Sequence, residues 1–511
     1  MAKNGILILD YGSQFTQLIA RRIRANGVFS QILPWNTPRE KALAESPVGI
    51  ILSGGPASVF EKGAPALPPD FWSWDRPVLA ICYGMQLVAR DLGFEVVRAG
   101  AAEYGHTRIR VDAGHTLFHR TPVEQSVWMS HGDKVIGGGE LAVLATSDNS
   151  EVAAFHYPPR NLYAVQFHPE VQHTAFGGTI IENFLFDVCH AERSWSAGAI
   201  VEQMVDDIRQ RVGRGRVICA VSGGVDSSVT ACLVDRAVGK NLYCVFVDNG
   251  LLRAGEREAV EKILGSQLSA PLEVVDARAR FLARLAGVTD PEEKRKRIGN
   301  LFIEIFEEVS TARGPFDFLA QGTLYPDRIE SLSTGGPSAT IKTHHNVGGL
   351  PENMRFQLIE PLSLLFKDEV RAVGEELGIP REQLWRHPFP GPGLAVRVLG
   401  EVTEEKLAIL READQIFIEG LREYGLYDRV WQALAVLLPV KSVGVMGDAR
   451  TYAFPVVLRA VTSSDGMTAD WADLPVDFLR EISSRIINRV THVNRVAYDI
   501  SSKPPATIEW E

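Results

Sequence analysis

The chain has 511 residues, a formal net charge of −10, 45% hydrophobic residues and five cysteines. That length supports two to four domains, each able to bury its own core. The acidic total weighs against nucleic acid as the main partner. The cysteines show no paired spacing, no apolar stretch approaches twenty residues, and no leader precedes the first strand-like run, so a reduced, cytoplasmic protein without a membrane span is expected.

In chain order, the first predicted elements are a strand over Gly5 to Leu9 and a helix from Gln14 to Ala25 closed by Gly27. Strand-like and helical runs then alternate to about residue 190, which predicts an α/β domain over 1–193. Within it Gly49-Ile-Ile-Leu runs into Ser53-Gly54-Gly55-Pro56, a strand ending in a glycine turn whose N–H groups can face a developing oxyanion. The apolar run Pro77-Val-Leu-Ala-Ile-Cys82 breaks at Tyr83-Gly84-Met85-Gln86 into a helical pattern. This would hold the Cys82 sulfur on a tight elbow at a helix N-terminus, a setting that favours the thiolate. Phe167-His168-Pro169-Glu170 offers a base. Residues i and i+2 of an extended segment point the same way, so Glu170 can reach the His168 imidazole and set its tautomer. A solitary cysteine is more often a core residue. The strand-elbow-helix context separates Cys82 from Cys189, Cys219, Cys232 and Cys244, which read as core.

A helical, polar connector from Ala197 to Arg211 ends at Gly213-Arg-Gly215. The strand-like run Arg216 to Val221 then ends in Ser222-Gly223-Gly224-Val225-Asp226-Ser227-Ser228 and leads into a helical segment. Hydroxyls and N–H groups at a helix N-terminus cradle a phosphate there, and Asp226 can ligate the accompanying Mg²⁺. No lysine follows the glycines, which sets this loop apart from the Walker type. A second strand at Leu242 to Asp248 lies where a nucleotide base could rest, and alternation continues to about Leu384. A parallel sheet with its site at the strand ends is predicted, in a domain over 194–391.

Inside that domain Asp290-Pro-Glu-Glu293 opens a helix carrying Lys294-Arg295-Lys296-Arg297, with two readings, a solvated face or a contact to phosphate or substrate. The glycine-bounded segment Thr334 to Gly349, with Lys342, His344 and His345, reads as a lid that brings cations onto a polyphosphate; without a companion ligand the two histidines make a poor metal site. After His387-Pro-Phe-Pro-Gly-Pro-Gly393 the pattern changes. A long amphipathic helix over Thr403 to Tyr424, strand-like Arg429 to Leu438 and Ser442 to Ala460, a helix over Val476 to Val490 and a strand over Val493 to Ile500 predict a small α+β domain at 392–511. The end, Lys503 to Glu511, is by default a frayed tail, but two prolines and Ile508-Glu-Trp510 suit it to docking.

Gly49 to Pro56, Ala80 to Gln86 and Phe167 to Glu170 resemble the three signatures of class I glutamine amidotransferases. The resemblance implies Cys82 as nucleophile, His168 as base, Glu170 as its orienter, and an oxyanion hole from the N–H groups of Gly55 and Tyr83. It also implies that Gln86 and the turn Ser130-His131-Gly132-Asp133 hold glutamine. Ser222 to Ser228 resembles the loop of ATP pyrophosphatases, in which the held group is the leaving pyrophosphate.

The order of these motifs, with Gln321 to Asp327, Ile341 to Gly349, His387 to Leu394, Lys441 to Asp448 and Ile508 to Glu511, is similar to the family of glutamine-hydrolysing GMP synthetases over essentially the whole chain. That resemblance implies an α/β protein with two parallel-sheet domains, one a class I glutaminase and one adenine-nucleotide α-hydrolase-like, followed by a small α+β dimerisation domain. It implies adenylation of xanthosine 5′-monophosphate (XMP) by MgATP and amination by ammonia from glutamine. Ser222, Gly223, Gly224, Val225, Asp226, Ser227 and Ser228 would hold the pyrophosphate, with Asp226 on Mg²⁺. Asp327 and Glu330 would act at the adenylation site, Lys342, His344, His345, Lys367 and Asp368 in the lid and its partners, and Arg397, Lys503, Thr507, Ile508 and Glu509 on XMP. Glutamine, ATP and XMP are the implied partners, with a homodimer through the C-terminal domain, no nucleic acid and no membrane.

Three other readings fit less well. A tRNA-modifying ATP pyrophosphatase predicts a basic face, which the acidic total disfavours. A glutamine sensor with a vestigial second half predicts loss of Asp226 or Lys342, and both are present. The glutaminase of asparagine synthetase needs a cysteine at the mature N-terminus, where residue 2 is Ala.

Overall fold

The computed structural model describes residues 4–333, 356–446, 448–463, 466 and 468–511. The chain clusters into two compact units, Met1–Gln203 with Arg328–Gly336, and Met204–Asp327 with Pro337–Glu511. The first break falls inside the connector helix Ala197–Val212, about ten residues beyond the expected boundary.

The first unit is built on a nine-stranded sheet. Its strands are β1 (Ile6–Asp10), β2 (Ser30–Pro34), β3 (Gly49–Leu52), β4 (Val78–Ile81), β5 (Val96–Val111), β6 (Glu124–Val135), β7 (Ala142–Ser147), β8 (Ala154–Tyr157) and β9 (Leu162–Val165), in the order β2-β1-β3-β4-β9-β8-β7-β5-β6. The half from β2 to β9 is parallel. Every residue of β3, β4 and β9 is buried, as continuous apolar runs covered on both faces require. The remaining strands pair antiparallel, and β6 alternates buried and open positions along its length. The catalytic candidates lie at the carboxyl ends of β3, β4 and β9, where open α/β sheets bind ligands. One expectation changes here. Ser130, His131, Gly132 and Asp133, which the resemblance implies as a turn, lie within β6, because cross-strand pairing with β5 overrides the turn preference of Ser, Gly and Asp.

The second unit holds a five-stranded, all-parallel sheet of β10 (Val217–Ala220), β11 (Leu242–Asp248), β12 (Leu272–Asp276), β13 (Phe318–Ala320) and β14 (Gln357–Ile359), ordered β12-β11-β10-β13-β14. Its C-terminal part adds a mixed sheet of β15 (Gln432–Leu437), β16 (Ser442–Met446), β17 (Ala449–Thr462), β18 (Asp470–Trp471) and β19 (Val493–Tyr498), with β17 as the central partner. The single strand-like run Ser442 to Ala460 is thus a hairpin. The amphipathic helices Glu404–Glu423 and Val476–Arg489 are close to their predicted spans, the first started by Thr403 accepting from the Lys406 N–H at 3.3 Å. One apolar core joins Phe281, Leu301 and Ile305 to Leu394, Phe417, Leu458 and Phe478, so packing is continuous across the expected 391/392 boundary. No helix among the described residues is long and apolar enough to cross a membrane.

Candidate active sites

Cys82 follows β4 directly and precedes the helix Tyr83–Asp91 with φ 51° and ψ −106°, a backbone conformation costly for a residue with a side chain. Its N–H donates to Val165 O at 2.8 Å, which ties the elbow to β9. Gly84 is required for the turn, since a Cβ there would meet Leu52 Cβ and Leu52 O at 2.9 Å. Three residues after β9, His168 stands beside Cys82, both against Gly54, and its Nδ1 lies 2.7 Å from Glu170 Oε1. All three side chains are buried. Burial works against the imidazolium, but hydrogen bonds to Cys82 and Glu170, with the charges of both, outweigh it and push the His168 pKa up to about 10. Nδ1–H then belongs to Glu170 and the other ring nitrogen serves the thiol, the arrangement of a nucleophile, a base and an orienter.

Around this triad the structure gathers several of the expected residues. Cys82 Sγ lies 3.5 Å from Ser130 O. Gly55 follows β3 so tightly that a Cβ would meet Tyr11 O at 2.6 Å, and Tyr83 opens the elbow helix. Gln86 is buried and donates to Asp133 O at 2.9 Å, so it braces β6 rather than meeting substrate with its amide. Asp133 in turn accepts from Ser58 Oγ at 2.5 Å. Two neighbours escaped the sequence reading. Ser58 sits in a loop with no chemical pattern, and the Phe15 ring stands edge-on to His168, centroids 5.2 Å apart.

The second candidate site starts where β10 gives way to the helix Val225–Val238. Gly223 turns the loop at φ +77°. Ser222 and Ser227 share a hydrogen bond of 3.1 Å between hydroxyls, and the Ser222 and Gly224 N–H groups bond to Ser227 Oγ and Ser222 Oγ at 3.1 and 3.3 Å. Asp226 Oδ1 meets Lys367 Nζ at 2.6 Å. The Gly223 carbonyl accepts from Gln383 at 2.6 Å and from Arg386 at 2.8 Å, two supports the sequence reading missed because they lie some 160 residues downstream. Ser228 departs from expectation: it is fully buried and its hydroxyl has no partner among the described residues, so Ser222 and Ser227 are the hydroxyls a ligand could reach.

Asp327 accepts from the Leu324 N–H at 3.3 Å in the first turn of the helix Tyr325–Ser333, which also carries Glu330. Lys367 and Asp368 open the helix Lys367–Glu376. Lys342, His344 and His345 lie outside the described residues.

The C-terminal segment is docked. Ile508 is buried, and Arg459 donates to Ile508 O and Thr507 O, both at 3.0 Å. Glu509 accepts two bonds from Arg397, at 3.0 and 2.8 Å, and one from Gln432 at 2.6 Å. Arg397, with Glu509, was expected on XMP. Instead its guanidinium is fully buried and bound to Glu509, so it organises the tail. The Lys503 ammonium donates to Gly466 O at 2.8 Å, and the Thr507 hydroxyl bonds to Glu509 O. Lys294 matches neither of its two readings. It is fully buried and donates to Ala395 O, Val398 O and the Glu511 carboxylate.

The chain matches the family model for class I glutamine amidotransferases over residues 7–188, so the triad stands in a glutaminase domain of that class. A second model, the GMP synthase C terminal domain, matches residues 419–510. The chain is 56% identical to the glutamine-hydrolyzing GMP synthase of Aquifex aeolicus, with 100% of each chain covered. It is 54% identical to that of Thermosynechococcus vestitus over 99% of this chain and 96% of the relative, and 55% identical to that of Carboxydothermus hydrogenoformans over 99% of both. The chain belongs to the family of glutamine-hydrolysing GMP synthases.

Proposed function

We infer that this chain performs the ATP-dependent amination of XMP to GMP with nitrogen from glutamine; its full-length relatives are named as glutamine-hydrolyzing GMP synthases. The observation that carries the reading on the nitrogen side is the buried Cys82–His168–Glu170 alignment on a strained elbow.

In the first unit Cys82 Sγ, its proton already passed to His168, adds to the glutamine side-chain carbonyl while Glu170 holds the imidazolium. The N–H groups of Gly55 and Tyr83 receive the oxyanion. Collapse of the tetrahedral adduct breaks the C–N bond, His168 returns its proton to the departing ammonia, and water then cleaves the thioester to glutamate.

In the second unit the xanthine 2-oxygen attacks the α-phosphorus of ATP. Pyrophosphate leaves into the loop formed by Ser222, Gly223, Gly224, Val225 and Ser227. Ammonia adds to C2, and AMP leaves with the former xanthine oxygen. Adenylation turns a poor leaving group into a good one, a barrier that positioning alone would not remove. Asp226 suits Mg²⁺: it is one partly exposed carboxylate already facing a cation, Lys367, and Mg²⁺ commonly binds through one or two carboxylates plus phosphate oxygens and water. When bound, the ion would neutralise charge on the polyphosphate. Asp327 and Glu330 near adenylation, Lys342, His344, His345, Lys367 and Asp368 as lid and partners, and Lys503, Thr507, Ile508 and Glu509 around XMP complete the proposal. The three-domain division at 193/194 and 391/392 is part of it.

We also propose a cytoplasmic homodimer. Among the described residues the hairpin of β16 and β17 exposes Val443 (50%), Val445 (76%) and Tyr452 (64%), an apolar face suited to self-association. The deciding experiment supplies MgATP, XMP and glutamine labelled with ¹⁵N at its side-chain amide, and weighs the nucleotide product. Labelled GMP with AMP and pyrophosphate establishes the reaction; folded, glutamine-hydrolysing protein that makes no GMP refutes it.

A further inference from the structure

Among the described residues two carboxylate–imidazole pairs are buried in the first unit, and the chemistry above uses only Glu170 with His168. The other joins Glu103 on β5 to His131 on β6, with Oε2 3.0 Å from Nε2 and side chains 3% and 2% exposed. The two stand directly opposite each other, a pairing created by the register shift between Arg98 and Glu103. Burying a carboxylate is costly unless its remaining atoms are satisfied. Here they are: Ser147 Oγ donates to Glu103 Oε1 at 3.0 Å.

The pair is connected to the glutamine site at two points. His131 Nδ1 lies 3.0 Å from Asp133 O, the carbonyl that also accepts from Gln86. The residue before it, Ser130, presents its carbonyl to Cys82 Sγ. Both ring nitrogens of His131 therefore face acceptors, which fixes the ring between Glu103 and the Asp133 carbonyl. Burial lowers the His131 pKa, and the Glu103 charge is the foremost opposing influence. An apolar pair of similar volume would pack this position with less desolvation, so a buried carboxylate–imidazole pair beside the nucleophile calls for a reason other than stability.

We propose that Glu103 is a positioning residue for glutamine hydrolysis: through His131 its charge fixes the Ser130–Asp133 backbone against Cys82 and Gln86, and so sets how glutamine sits for attack. This rests on the reading of Cys82 as nucleophile.

The test is steady-state glutamine hydrolysis, with MgATP and XMP present, by Glu103→Gln, Glu103→Asp and, as control, Cys82→Ala. Glu103→Gln keeps the shape and removes the charge; it should raise KM for glutamine about 10- to 100-fold with a smaller change in kcat. Glu103→Asp keeps the charge and should recover most of that loss. Wild-type KM in Glu103→Gln, or equal impairment of the Gln and Asp variants, overturns the proposal. Glutamine hydrolysis surviving in Cys82→Ala would instead overturn the site assignment beneath it. Should Glu103→Gln fail to fold, Ser147→Ala, which removes the hydroxyl orienting the carboxylate, should raise KM several-fold, and an unchanged KM there counts against the idea.

Discussion

Lys367 Nζ lies 2.6 Å from Asp226 Oδ1, closing a cation onto the one carboxylate of the Ser222–Ser228 loop. Both side chains are more than 30% exposed, so water screens the pair and its contribution to stability is about 1 kcal/mol at most. An ion pair that weak is easily opened by a polyphosphate and its metal. Replacing Asp226 with Asn should stop pyrophosphate release whether glutamine or ammonium is the nitrogen source, and chelating Mg²⁺ should do the same to the unaltered protein. A pyrophosphate assay that finds adenylation intact in Asp226→Asn would show the assignment wrong.

Cys82→Ala should abolish glutamine-driven GMP formation, a loss of about 10⁴-fold or more, while ammonium at alkaline pH still supports synthesis. Both rates come from one chromatographic assay of GMP. Parallel loss of the two would refute the division of labour between the units.

The His168 pKa is raised from its ordinary 6.5 to about 10. The pairing with Cys82 and Glu170 therefore adds stability in full below pH ~6.5, and that stability is lost as pH rises through about 10. Glu170→Gln removes one of the groups that raise the pKa. The alkaline limb of glutamine hydrolysis should then move to lower pH by about one unit or more, with kcat down roughly 10³-fold or beyond. A pH profile of kcat/KM decides it; a limb that stays in place means Glu170 does not hold the imidazolium.

Lys294→Met leaves the Glu511 carboxylate without its buried partner and should lower unfolding free energy by about 3 kcal/mol in a urea titration. Deleting Ile508 to Glu511 removes Glu509 from Arg397 and the Ile508 carbonyl from Arg459, and should sharply raise the XMP concentration needed for half-maximal rate. Kinetics that do not change after the deletion would leave the docked tail a purely structural feature.

Val445→Asp places a charge in the middle of the exposed hairpin face and should convert a dimer to monomers in sedimentation velocity. A variant that stays dimeric puts the contact elsewhere, and a monomeric parent protein ends the homodimer proposal.

What could be read from the chain follows a physical divide. The elbow at Cys82, the His168-Pro-Glu170 pair and the Ser222–Ser228 loop were legible because each is a strand-loop-helix or extended unit whose geometry is set within about ten residues. Composition misled where neighbours along the sequence were not neighbours in space. The turn that the resemblance implied at 130–133 is strand, because β5 pairs there. Four consecutive basic residues cover every face of a helix, so nothing local showed that Lys294 is the one turned into the core. Sequence by itself determined the order of the units, the elbow at Cys82 with the His168–Glu170 pair, and the glycine loop at Ser222–Ser228. Only the tertiary structure decided that Arg397 clasps Glu509, that Lys294 holds Glu511 and that Glu103 faces His131, because strand register and burial set those pairings and leave no mark on neighbouring residues.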